Sequence, residues 1–120
     1  MLLTIDAKER LSRTAFNPGQ AFMDHGFQFG IYTCPHCSEA VRITTRDLQD
    51  AMGSSSSNLS EVDASQFSKK RPLDSAKWES FLDFYCPGCS SPVRIVYEPW
   101  EFAMGSYGFT VTLVVEADAS

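Results

Sequence analysis

Apolar and polar residues alternate along four stretches of this chain, and a period of two predicts strands. Phe27, Phe29 and Ile31 alternate with Gln28, Gly30 and Tyr32, and Val41 and Ile43 alternate with Arg42 and Thr44. The third stretch is Val93-Arg94-Ile95-Val96-Tyr97, which Pro99 is expected to bend or end. The fourth, 109–116, sets Val111, Leu113 and Val115 against Thr110, Thr112 and Val114, behind the turn glycines Gly105 and Gly108. Helical signals are shorter. Asp6 and Glu9 have the spacing of a capping box for a short helix through Leu11, which Asn17-Pro18-Gly19 would end. Thr45 is placed to cap another over 46–52. Trp78, Phe81, Leu82 and Tyr85 recur at helical spacing, but they lead into Cys86. An earlier copy of that cysteine follows a strand, so a helical turn over 76–80 entering a strand is the better reading.

Residues 53–74 break this pattern. Gly53-Ser54-Ser55-Ser56-Ser57-Asn58 has the composition of a linker, and the polar stretch behind it carries Lys69-Lys70-Arg71. The segment is expected to be a flexible insertion between two halves of one domain spanning 1–120, with its basic run solvated.

The halves are related. Cys34-Pro35-His36-Cys37 and Cys86-Pro87-Gly88-Cys89 hold the only four cysteines, and the two regions align without a gap at a constant offset. From Cys34 and Cys86 onward, eleven of twenty-one positions are identical, including Cys-Pro-x-Cys-Ser and Val-Arg-Ile. Two thiolate pairs, each on a tight turn, can surround one metal ion. Pro35 and Pro87 stiffen those turns, and Gly88 is expected to supply backbone freedom. Arg42 and Arg94 occupy equivalent places, either near the metal to offset its charge or on the solvent face of their strands. His36 is expected to point to solvent beside the metal, and His25 to lie in a turn.

This arrangement resembles the zinc-ribbon class, in which two knuckles on β-hairpins close on one ion. The resemblance covers about 27–43 and 81–97 and implies one structural zinc held by Cys34, Cys37, Cys86 and Cys89. Two features depart from it: 48 residues separate the pairs, and Ser38 and Ser90 stand where such knuckles often have glycine. The implied fold is α+β and β-rich, with duplicated knuckle hairpins, antiparallel strands and one or two short helices. Related C-P-x-C knuckles also hold iron, and paired thiols also serve redox chemistry. A rubredoxin-like or dithiol redox protein is therefore an alternative reading.

Charge narrows the partner. The formal net charge is −5, which repels a phosphate backbone and favours a basic protein. No nucleophile motif or glycine-rich phosphate loop is present, so the chain is not expected to be an enzyme. The start, Met1-Leu2-Leu3-Thr4-Ile5-Asp6, lacks the character of a secretory signal, and no apolar run could span a membrane. The cytoplasm is the expected compartment. Glu98, Trp100, Glu101, Phe102 and Tyr107 combine aromatic anchors with carboxylates and are the candidate partner-binding residues, unless Trp100 and Phe102 belong to the core. The favoured function is a non-catalytic, zinc-stabilised acidic protein-binding module, with an inhibitor or immunity-type protein for a basic partner as its narrower form. A nucleic-acid-binding zinc ribbon of the transcription or translation machinery is the other alternative.

Overall fold

A computed structural model describes residues 2–13, 28–52, 57–103 and 106–117. It is a strand-rich α+β fold with two antiparallel sheets. The larger runs β1 (Leu2–Asp6), β7 (Ser106–Ala117), β6 (Pro92–Ala103), β5 (Ser80–Tyr85) in spatial order. The smaller runs β2 (Leu11–Arg13), β3 (Gln28–Thr33), β4 (Ala40–Thr44). Helix α1 (Thr45–Ala51) follows β4 directly, and α2 (Glu61–Lys70) precedes β5.

The two sheets face each other over the main core, where Leu11, Phe29, Tyr32 and Ile43 meet Val93, Ile95, Tyr97, Phe109, Val111 and Val114. Leu48 of α1 joins them, and Tyr97 donates its hydroxyl proton to the Leu48 carbonyl. On the opposite face of the larger sheet, α2 covers Val96 and Val115 with Phe67. The larger sheet is therefore buried on both sides, which is why 93–97 is a continuous apolar run interrupted by one arginine.

That arginine is Arg94. It is 2% exposed and pairs with Asp83 directly across from it on β5, with Nε and Nη2 donating to the two carboxylate oxygens at 2.8 and 2.9 Å. Nη1 donates to Ser68 of α2 at 3.0 Å, and the guanidinium carbon lies 4.3 Å from the centre of the Phe81 ring. Neither of the two expectations for Arg94 holds, because it faces α2 rather than the cysteines or solvent. Arg42 is exposed.

Several expectations are corrected. The chain after Asp6 makes only one turn of 3-10 helix, Ala7–Glu9, because Leu2–Asp6 pairs with β7 and Leu11 already pairs with Tyr32. The Asp6 carboxylate still caps it, accepting from the Lys8 N–H. The second cap is Thr44 rather than Thr45, in a reciprocal box with Asp47. The expected insertion contains α2, whose Ser60 cap accepts from the Asp63 N–H. Ser60 in turn donates its N–H to the Tyr85 hydroxyl, which donates to the Asp63 carboxylate. In the basic run, Lys69 and Lys70 occupy the last turn of α2, where the helix dipole favours cations, and Arg71 is ion-paired with Glu79. The turn before β5 is 3-10, Ser75–Lys77. Strand β6 continues through Pro99, because β5 begins only at Ser80, opposite Tyr97, and leaves Pro99 a neighbour on one side only. His25 and the Asn17-Pro18-Gly19 turn lie outside the described residues.

Removing one partner of the buried Arg94–Asp83 pair leaves a charge uncompensated. Arg94→Met should therefore lower stability by about 3–5 kcal/mol, and Asp83→Leu with Arg94→Met should recover most of it. Urea denaturation of the three proteins measures this. A single variant as stable as the parent would remove the pair from the account of the fold.

Candidate metal centre

The duplicated sequence folds twice into the same knuckle. In the first, the Ser38 N–H donates to the Cys34 carbonyl at 2.9 Å and the Cys34 N–H to the Glu39 carbonyl at 3.0 Å. In the second, Ser90 donates to Cys86 and Cys86 to Ser91, both at 2.8 Å. Ser38 and Ser90 have φ of 63° and 61°, the left-handed conformation that glycine adopts without cost. Both departures from the usual zinc-ribbon glycine are thus accommodated with some backbone strain.

The hairpins β3–β4 and β5–β6 bring the two knuckles tip to tip. Cys34 Sγ lies 3.6 Å from Cys89 Sγ, Cys37 Sγ lies 3.6 Å from Cys86 Sγ, and all four sulfurs fall within 4.8 Å of one another. A tetrahedral ion with metal–sulfur bonds of about 2.3 Å needs sulfurs about 3.8 Å apart, so the cluster fits one such ion. The cysteines are free thiols, with Cys34 and Cys86 buried and Cys37 and Cys89 exposed. Each knuckle thus contributes one sulfur beneath the site and one at its rim.

Gly88 has a different role from the one expected. A Cβ there would sit 2.8 Å from Cys37 Sγ and 3.1 Å from the Glu39 Cβ. Close approach of the first knuckle, rather than conformational freedom, requires the glycine. The equivalent residue, His36, also departs from expectation: it is half-buried, with Nε2 3.0 Å from the carbonyl oxygen of Ala117 at the end of β7. Beneath the site, Glu116 is buried and accepts from Arg10 Nε at 2.7 Å and from the Tyr32 hydroxyl at 2.6 Å. Burial first, and the Glu116 carboxylate second, push the Tyr32 hydroxyl far above its ordinary pKa, so it remains a donor. This contact joins the two sheets next to the metal centre.

Without a metal the thiols differ. Burial raises Cys34. The Ser91 hydroxyl, 3.2 Å from Cys89 Sγ, and then the Ser91 amide hold Cys89 down to about 6. At Cys37 the Glu39 amide favours the thiolate, but desolvation and the sulfurs of Cys86, Cys34 and Cys89 outweigh it and push the thiol up to about 12.

The other candidate residues lie away from the cysteines. Trp100 is exposed on β6, with its Nε1–H donating to Thr110 Oγ1 at 3.2 Å. Glu98 is half-buried and Glu101 exposed on the same strand. The side chains of Phe102 and Tyr107 lie outside the described part of the structure. Comparison with protein-family models, curated proteins and solved structures finds no match for the chain.

Two outcomes are expected. At pH 7 a metal must displace protons from at least Cys34 and Cys37, so apparent zinc affinity should rise by at least about 100-fold per pH unit and fall still more steeply below pH 6, where Cys89 also protonates. Chelator competition across pH measures the slope; release of less than one proton per ion would contradict the four-thiolate site. Gly88→Ala should weaken zinc binding by about tenfold or more in the same assay, since a metal-held sulfur cannot retreat from the added methyl group. Unchanged affinity would show that the knuckles tolerate a wider spacing.

Proposed function

We propose that this chain is a zinc-stabilised, non-catalytic module that binds another protein through an acidic surface complementary to a basic partner. Four thiolates suit zinc, and a tetrahedral ion with four protein ligands keeps no position for a substrate. The metal then serves folding, and function is left to the surface.

The observation that carries this reading is the setting of Trp100. Its indole rests on Gly108 of β7, where even a Cβ would come within 2.3 Å of the ring, and its N–H is held by Thr110. The side chain is nevertheless 42% exposed. An indole already fixed in place loses little entropy on binding, and residues of this kind dominate interface energetics. Glu98, on the same face of β6, adds negative charge beside it, and the net charge of −5 extends that bias over the molecule. Such a field speeds encounter with a cationic surface and disfavours acidic ones. Inhibition of a basic toxin or nuclease by an immunity-type protein is the narrower form of this proposal.

A nucleic-acid role is less well supported. Of the three ribbon arginines, Arg94 is committed to Asp83 and Arg46 lies 3.8 Å from Asp50, which leaves little cationic surface for phosphate. Among the described residues, no helix is long and apolar enough to cross a membrane. Cysteines used as metal ligands suit a reducing compartment, so we place the protein in the cytoplasm.

Native mass spectrometry of the untagged chain from its own host tests the proposal. The expected spectrum shows one zinc and a retained basic protein. In purified form, Glu98→Lys with Glu101→Lys should slow association with that protein by about tenfold or more at low salt. Iron in place of zinc would favour the redox alternative, and co-purifying nucleic acid would favour the nucleic-acid alternative.

A further inference from the structure

We infer that Trp78 is a second anchor of this binding surface, presented to fill an apolar slot on the partner beside cationic groups that face Glu98 and the net negative charge of the chain. This rests on the protein-binding reading above and adds a residue to which sequence patterning assigned a different role, as part of a helical stripe. Three observations support it.

The first is strain combined with exposure. Trp78 has φ 58° and ψ 32°, a left-handed conformation that is unfavourable for a bulky side chain, and it is 76% exposed. Folding gains little from holding a large indole in water at such a position. Strain of this sort persists where the surroundings enforce it, and it is found disproportionately at binding and active sites.

The second observation is the enforcement itself. The next residue, Glu79, is clamped by Arg71, whose Nη1 and Nη2 donate to its two carboxylate oxygens at 3.0 and 2.8 Å. The Asp74 N–H donates to the same carboxylate at 2.6 Å. The Trp78 N–H donates to the Ser75 carbonyl at 3.2 Å, and the Glu79 N–H to the Asp74 carbonyl at 3.3 Å. The Glu79 side chain is only 2% exposed, so this clip is mostly shielded from water. It fixes the backbone on both sides of Trp78 and leaves the indole projecting.

The third is location. Strand β5 begins at Ser80, opposite Tyr97. Trp78, two residues earlier, therefore emerges at the end of the sheet where β6 continues as Glu98, Pro99 and Trp100. Both tryptophans of the chain thus lie toward the end of the sheet remote from the metal. Two aromatic anchors bordered by charge match the composition of an interface centre and its rim. The nearby Lys77 marks the boundary of the acidic area, and a base stacking on Trp78 with phosphate on Lys77 is the competing occupant. Glu98 and the net charge of −5 disfavour it.

The test needs no known partner. A displayed library of random peptides is selected against the zinc-loaded chain, and enriched peptides are measured on purified variants. The expected peptides combine Lys or Arg with large apolar residues, and Trp78→Gly weakens them by about tenfold or more. Glycine is favoured at positive φ, so this variant should keep or raise the melting temperature. A lowered melting temperature would overturn the inference by making Trp78 a structural residue. Basic peptides weakened by Glu98→Lys with Glu101→Lys but not by Trp78→Gly would also overturn it while leaving the proposed function standing. So would the absence of enriched peptides. Selection of acidic peptides would overturn the basic-partner reading itself. Tight binding of a single-stranded oligonucleotide that Trp78→Gly abolishes would do the same.

Discussion

Closure of two knuckles on one point is the constraint from which the rest of the structure follows. The first knuckle belongs to the smaller sheet and the second to the larger, so a metal held by all four sulfurs would fasten the sheets together at one end. Their facing surfaces must then meet at a fixed spacing, set by Phe29, Tyr32 and Ile43 on one side and Val93, Ile95 and Tyr97 on the other. A core of this size gives a small margin over conformational entropy, and a metal crosslink between distant parts of the chain adds to it. The close approach also explains the asymmetry at the knuckle tips. Gly88 gives way to Cys37 Sγ, whereas His36 reaches across to the end of β7. Two copies of one turn cannot occupy the same space, and the replacement of one side chain by hydrogen resolves the conflict.

Divergence of the repeat is clearest in its charges. Arg42 and Arg94 are equivalent in sequence, yet Arg42 is exposed while Arg94 lies beneath α2. Helix α2 buries the outer face of the larger sheet, and Asp83, Ser68 and the Phe81 ring satisfy the arginine there. Glu116 presents the same problem between the sheets and is satisfied by Arg10 and Tyr32. Among the described residues no buried side-chain polar atom lacks a hydrogen-bond partner. Both networks cross between separate elements, so they favour one way of stacking the layers. Apolar contacts alone would distinguish the alternatives less sharply.

The hairpins and the cysteine cluster were legible because both rest on local, repeated signals: alternation, the C-x-x-C spacing, and a duplication that shows each signal twice. Which face some residues occupy was not legible. An extra residue in β3 between Gln28 and Gly30 turns Tyr32 into the core beside Phe29, although strict alternation separates them. A similar irregularity in β7 between Val111 and Leu113 places Val111 and Val114 on one face and Val115 on the other. A bulge leaves little mark on composition, but it reverses every later side chain. Helix α2 was hidden for another reason. Phe67 is its only fully buried residue, so the apolar stripe that reveals most helices is nearly absent. Ser60 and Asp63 were a readable capping signal, and their serine-rich surroundings masked it. Trp78 illustrates a third limit, since its spacing to Phe81, Leu82 and Tyr85 imitates a helix while its backbone is left-handed.

These features divide the molecule along β6. Pro92 begins the strand beside the second knuckle, and Trp100 lies about 25 Å further on at an ordinary rise per residue. Near the cysteines the surroundings are crowded, and substitutions there act on folding. At the other end β6 has lost its β5 neighbour, Pro99 is tolerated, and two indoles reach solvent. The protein-binding role proposed above would call for exposed aromatic groups, which weaken a core that has few residues to spare. With the four-sulfur cluster at the opposite end, a bound metal would supply stability that those indoles do not. A metal fastening at one end and aromatic exposure at the other would thus be two sides of the same physical problem.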